Sequence, residues 1–141
     1  MSTYPYLFSY SEESVYGRSA SLLRAHVPDD AEGIVLDLGC GGAAISSAVD
    51  GPGWSYVGVD ASDDAVAHVR DRGLEGHALD LERADVADAL ERIVDGRRVL
   101  AVLALDVLEH VARSAPFLAA IRGVVAPWSA PVILSVPNVG H

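Results

Sequence analysis

Four aspartates, Asp37, Asp60, Asp80 and Asp106, fall at or just past the end of a run of apolar residues. The first stands inside Val35-Leu36-Asp37-Leu38-Gly39-Cys40-Gly41-Gly42-Ala43, an apolar run that enters a glycine-rich turn and leaves it through small residues. Gly39 and Gly41 let the backbone turn tightly and approach a ligand with no Cβ in the way. The N–H groups at the start of a helix after such a turn face whatever binds there. The spacing Gly39-x-Gly41-x-x-Ala44 also satisfies the dinucleotide fingerprint G-x-G-x-x-G/A. Asp37, two residues before the first glycine, separates two chemistries. A carboxylate there repels a pyrophosphate in a partly dry site. It favours a ligand carrying positive charge, touched directly or through water. The other reading of Asp37 is a carboxylate that hydrogen-bonds the loop amides. Asp60 closes Tyr56-Val57-Gly58-Val59-Asp60, at the spacing of about 20 residues from a glycine loop where an acid accepts from ribose hydroxyls.

To serve one ligand these carboxylates must share an edge, and the order of elements supplies it. Strand-like runs at 33–38, 54–60, 76–79, 98–105 and 131–136 alternate with helical patterns. The first helix opens at Ser11 with Glu12 and Glu13 in its first turn, carries Leu22, Leu23 and Val27 on its apolar face, and ends at Pro28. A short helix follows the glycine turn at 43–49. Ser62 caps the next, with Asp63 and Asp64 in its first turn and Gly73 as its stop. Helical spacing of apolar residues then covers 84–94 and 115–125. The strand at 98–105 is almost wholly apolar, as befits a strand buried on both faces. This alternation predicts an α/β fold: a doubly wound, mostly parallel sheet with helices on both faces. Ligands of such sheets lie beyond the carboxyl ends of the strands, where strand order reverses. All four aspartates then line the ligand edge. An Asx-turn or a cap explains any one of them; four beside a glycine loop point to a site.

The length of 141 residues reads as one domain. Twenty acidic residues against ten basic ones, all arginine, give a formal charge of −10. With no basic stripe, binding to a nucleic-acid backbone is disfavoured. Half the residues are apolar, which suits a folded core and not a disordered chain. Cys40 is the only cysteine, so no internal disulfide is expected. It reads as a small loop filler, with a reactive thiol as the alternative. The longest apolar run falls far short of the roughly 20 residues of a membrane helix, and no secretory leader pattern opens the chain. A cytoplasmic location away from membranes is the expectation. No pair or triplet of histidines has metal-site spacing, so no metal is expected.

The nonamer at 35–43 resembles the first motif of the S-adenosylmethionine (SAM)-dependent methyltransferases, the class I, Rossmann-like kind that acts on small-molecule acceptors. Asp60, closing the second strand, resembles their second motif. The resemblance implies that Asp37, Gly39, Cys40 and Gly41 hold the methionine end of SAM and Asp60 its ribose. It places Ala61 and Ser62 beside the adenine. Asp80 and Leu81, in His77-Ala78-Leu79-Asp80-Leu81, would meet the adenine amino group and ring. Leu105-Asp106-Val107-Leu108-Glu109-His110-Val111 resembles the D-x-L-E-H segment after the fourth strand of many small-molecule methyltransferases. That implies Asp106 near the methionine and the substrate mouth, and offers His110 as a general base. In the alternative, the Glu-His pair packs behind the loop. Ser135-Val136-Pro137-Asn138-Val139-Gly140-His141 resembles a Pro-Asn segment that lines the acceptor side. Asn138 and His141 are then substrate contacts, with His141 a second candidate base; a bare Pro-Asn turn is the other reading. Residues 1–10, with Tyr4, Tyr6, Phe8 and Tyr10, resemble a segment that folds over SAM as a lid, and a frayed tail is equally compatible.

Two departures stand out. Ala43 occupies the third glycine of the family's G-x-G-x-G, and its methyl is expected to narrow the space beside the ligand. The resemblance also stops after the fifth strand, where the family fold continues with a helix and two strands. The expectation is therefore a C-terminally truncated domain, part of a longer enzyme. Its fifth strand is an edge open to pairing with a second copy. The implied activity is direct displacement of the SAM methyl by a small-molecule acceptor, leaving S-adenosylhomocysteine (SAH). Two other readings stay open: half of an NAD-type oxidoreductase, and a non-catalytic partner-binding module on the same fold.

Overall fold

The apolar runs become five parallel strands in a computed structural model that describes residues 15–136. They are β1 (Gly33–Leu38), β2 (Trp54–Asp60), β3 (Glu75–Ala78), β4 (Val99–Leu105) and β5 (Val132–Ser135). Their order across the sheet is β3-β2-β1-β4-β5, and every neighbouring pair is parallel. Strand order reverses between β1 and β4, so a ligand crevice belongs above their carboxyl ends. All seven residues of β4 are buried, which explains its unbroken apolar sequence.

Four helices cover the two faces: α1 (Val15–His26), α2 (Asp63–Asp71), α3 (Val86–Val94) and α4 (Ser114–Val125). On one face Leu90 of α3 and Phe117 and Ile121 of α4 pack on Ile34, Leu36 and Val57. On the other, Leu23 of α1 and Val69 of α2 pack on Val35, Tyr56 and Leu103, whereas Leu22, expected on the same apolar face of α1, is exposed. The helix signals act as expected: the Ser62 hydroxyl accepts the Ala65 N–H at 3.2 Å, above Asp63 and Asp64 in the first turn of α2. No helix among the described residues is long and apolar enough to cross a membrane.

One element differs from the sequence pattern. The helix expected at 43–49 is a 3₁₀ turn of five residues, Ala44–Ala48. The chain reaches it through three left-handed residues, Gly39, Gly41 and Ala43. What remains before the Gly51-Pro52-Gly53 break is too short for an α-helical ladder, and the tighter 3₁₀ turn is the usual form of so short a piece. The expectation of helix N–H groups facing a ligand therefore fails here in its helical form. The proposed lid, the Ser11 cap, Asn138 and His141 lie outside the described residues.

Candidate functional site

Two adjoining compartments, about 540 Å³ and about 360 Å³, open above the switch point. Gly39, Asp60, Asp106 and His110 line both. Cys40, Gly41, Tyr16 and Glu109 belong to the larger compartment. Ala61, Asp80, Leu81 and Glu82 belong to the smaller. Nine residues named from the sequence thus meet at one crevice: Gly39, Cys40, Gly41, Asp60, Ala61, Asp80, Leu81, Asp106 and His110.

Gly39 shows why the turn needs glycine. Its φ is 70°, and an added Cβ would stand 2.3 Å from Cγ2 of Val107, so no other residue fits. Asp60, at the end of β2, clasps this loop. One carboxylate oxygen accepts the Gly41 N–H at 2.9 Å and the other accepts the Ser62 N–H at 2.8 Å. Ser62 is therefore occupied with capping α2 and anchoring Asp60, while Ala61 is the residue that reaches the crevice. Asp80 turns its own loop, accepting the Glu82 N–H at 2.9 Å. Asp106 follows β4 in a left-handed conformation, φ 55°, which aspartate tolerates better than most residues. Ser135 of β5 fixes it there. The Asp106 N–H donates to the Ser135 hydroxyl at 2.8 Å, and that hydroxyl donates to the Asp106 carboxylate at 3.0 Å.

Asp37 occupies a different layer. It is 3% exposed, does not line either compartment, and accepts the Tyr56 O–H at 2.6 Å. Burial pushes its carboxyl up to about 7, and the nearby Asp60 charge adds to this while the Tyr56 hydrogen bond opposes it. Its partner is thus a tyrosine hydroxyl from the neighbouring strand, not the loop amides. Cys40 is buried too, its thiol donating to the Gly41 carbonyl at 3.6 Å. Burial drives that thiol far above its ordinary range, with the Asp37 and Asp60 charges acting the same way. A buried thiol held protonated is a poor nucleophile, which suits the loop-filler reading of Cys40. Ala43 corrects a further expectation. It is fully buried in the core below the loop and lines neither compartment. Its methyl does not narrow the crevice; its disadvantage is the left-handed backbone, φ 61° and ψ 41°, worth about 1–2 kcal/mol against an L-residue with a Cβ.

His110 is exposed, with 78% of its side chain accessible and its ring 3.5 Å from the Glu109 carboxylate. The alternative that packed this pair behind the loop does not hold for the histidine. Tyr16, from α1, is a wall of the larger compartment that the sequence pattern did not disclose. Burial raises its hydroxyl above the ordinary tyrosine range, and the Asp37 and Asp106 charges add to the rise.

Residues 36–128 match the family described as "Methyltransferase domain". The chain belongs to that family. The ubiquinone biosynthesis O-methyltransferase of Hahella chejuensis is 33% identical to this methyltransferase domain over 94 residues, covering 66% of the domain and 39% of the relative. The mitochondrial ubiquinone biosynthesis O-methyltransferase of Arabidopsis thaliana is 32% identical over 103 residues, or 72% of this chain and 31% of that one. The Mesorhizobium japonicum protein of the same name covers 87% of this chain, at 31% identity, and 48% of its own length is matched. The methyltransferase domain thus spans 31% to 48% of these curated relatives. Among solved structures, SAM-bound CalS10, an amino pentose methyltransferase from Micromonospora echinaspora, superposes with a TM-score of 0.62 at 24% identity. That match covers 91% of this chain and 52% of CalS10. DesVI of Streptomyces venezuelae gives 0.62 at 20% identity, over 89% of this chain and 52% of its own. These likenesses establish the fold.

Proposed function

We propose that this domain binds SAM across the two compartments and serves methyl transfer to a small-molecule acceptor, with SAH as product. The observation that carries the reading is the charge of the crevice. Asp60, Asp80, Glu82, Asp106 and Glu109 line it, and among the described residues no arginine does. Such walls suit a ligand with an ammonium and a sulfonium and repel a pyrophosphate, which weighs against the NAD-type reading. Compartments of this size match the usual volume of small-molecule sites, about 300–1,000 Å³.

When bound, SAM supplies an electrophilic sulfonium methyl that an acceptor nucleophile displaces in line. The protein's part is to position and to set the field. In this proposal Asp60 accepts from the ribose hydroxyls with the lone pairs its loop contacts leave over. Asp80 and Leu81 receive the adenine. The glycine loop and Asp106 face the methionine, with the Asp37 charge behind the loop. His110, exposed at the meeting of the compartments and beside Glu109, takes the acceptor's proton. Asn138 and His141 remain acceptor-side residues of the proposal.

Calorimetric titration with SAH, with NADH as control, tests the cofactor. Micromolar binding of SAH and none of NADH is expected. The reverse pattern would restore the oxidoreductase reading, and folded protein that binds neither would favour a partner-binding module. With an acceptor in hand, His110→Asn is expected to slow turnover tenfold or more while SAH affinity stays within twofold of the parent. Unchanged turnover would remove His110 from the chemistry.

A further inference from the structure

The glycine loop is gripped from two sides, by Asp60 on one of them. On the other side stands Arg72, directly after α2. Its Nη1 donates to the Gly42 carbonyl at 2.8 Å and to the Ala43 carbonyl at 3.0 Å. Its Nη2 donates to the Ser46 hydroxyl at 3.0 Å. These three acceptors bracket Ala43, the one loop residue that stands left-handed with a Cβ. The turn beyond has no α-helical ladder to hold it, only the 3₁₀ residues Ala44–Ala48. We propose that Arg72 is a positioning residue for the cofactor loop, adding to the Ala43 N–H bond to the Cys40 carbonyl at 2.9 Å and the Ser46 N–H bond to the Ala43 carbonyl at 3.1 Å the grip that keeps Ala43 left-handed.

Guanidinium chemistry fits this task. Its planar fork presents five donors, enough for two carbonyls and a hydroxyl together, where an ammonium is a compact point charge. Because the peptide is trans and planar, fixing the Ala43 carbonyl on Arg72 turns the Ala44 N–H the opposite way. Ala44 lines the larger compartment, so the orientation of this peptide is part of the crevice wall. If Arg72 and the residue at 43 act on the same equilibrium, they are coupled. Without the guanidinium the loop spends most of its time in other conformations, and ligand affinity falls by the fraction of competent loop. A glycine at 43 removes the penalty of the left-handed state, and the competent fraction returns.

The test compares the parent with Arg72→Met, Ala43→Gly and the double variant. Hydrogen-exchange protection is read at the Gly41, position 43 and Ser46 amides without ligand, and SAH affinity by calorimetry. Arg72→Met is expected to lower protection and affinity about tenfold. Ala43→Gly is expected to recover about fivefold of each loss in that background and to change either by less than twofold on its own. Protection within twofold of the parent in Arg72→Met, or no recovery by glycine, overturns the proposal. A general loss of structure would lower protection throughout the sheet and would not be rescued at one residue. Should Arg72→Met fail to fold, Arg72→Lys carries the same comparison with a smaller expected loss. The affinity arm rests on the SAM reading but the exchange arm does not. A parent that ignores SAH while Arg72→Met loosens the loop would count against the cofactor and leave Arg72 in its role.

Discussion

Replacing Asp60 by alanine is expected to weaken SAH binding at least 100-fold, about 2.7 kcal/mol. The carboxylate already receives the Gly41 and Ser62 N–H groups, one on each oxygen. A carboxylate offers about four lone-pair sites, so two stay available for a vicinal diol. Hydrogen bonds to a charged group contribute about 1.5–3 kcal/mol each. Alanine would leave two backbone donors and two ligand donors without their acceptor. Asp60→Asn keeps the volume and one oxygen, and a loss of about tenfold to thirtyfold is expected, roughly one such bond. Loop and ligand contributions separate with adenosine against 2′,3′-dideoxyadenosine. The parent should prefer the diol, and Asp60→Ala should bind both alike. An alanine variant that stays folded and binds SAH within fivefold of the parent would take Asp60 out of the site.

What the sequence discloses about this site follows the reach of its patterns. Asp60, Asp80 and Asp106 were legible because strand ends and loop starts are local features, and a parallel sheet gathers them on one edge. Ser62 and the Asp63-Asp64 turn were legible as a cap for the same reason. The residues that hold the site together from a distance were not. Arg72 reaches Gly42 across 30 positions, and Ser135 reaches Asp106 across 29; no local periodicity encodes either. Tyr56 is intermediate. Val35 pairs with Tyr56 and Asp37 with Gly58 in the β1–β2 register, so a parallel register puts Tyr56 and Asp37 on one face, diagonal neighbours. Gly58 leaves the space into which the tyrosine leans, since a Cβ there would stand 3.1 Å from the Tyr56 hydroxyl. The expected helix at 43–49 misled because alanine and serine at helical spacing say nothing about a left-handed residue before them. Backbone handedness at Ala43 is settled by what surrounds it.

Asp37 should make the protein less stable as pH rises, the reverse of most carboxylates. Its folded-state value is raised to about 7, against roughly 3.9 in an unfolded chain. Between these values the native state binds more protons than the unfolded one, so stability falls with increasing pH. The loss begins near pH 4 and is complete just above pH 7. Integrated from pH 5 to pH 8 it amounts to roughly 2–3 kcal/mol. Glu75 acts in the opposite sense, its carboxyl held down to about 2 chiefly by the Arg97 guanidinium, but its contribution is lost only as pH falls below about 4.5 and does not interfere. Asp37→Asn keeps an acceptor for the Tyr56 hydroxyl and carries no charge. Urea unfolding at pH 5 and pH 8 should show the asparagine variant gaining on the parent by about that 2–3 kcal/mol at the higher pH. Comparison at each pH cancels the histidines, which both proteins share. Tyr16, Tyr56, Cys40 and Asp60 are the titratable neighbours, and none of them is altered. If the buried charge serves a cationic ligand above the loop, the same variant should bind SAH more weakly at pH 8 while folding more stably. Stability and affinity would then move in opposite directions, as they do where a site keeps a group that the fold alone would discard. A variant with unchanged pH dependence of unfolding would show that Asp37 does not change charge in this range.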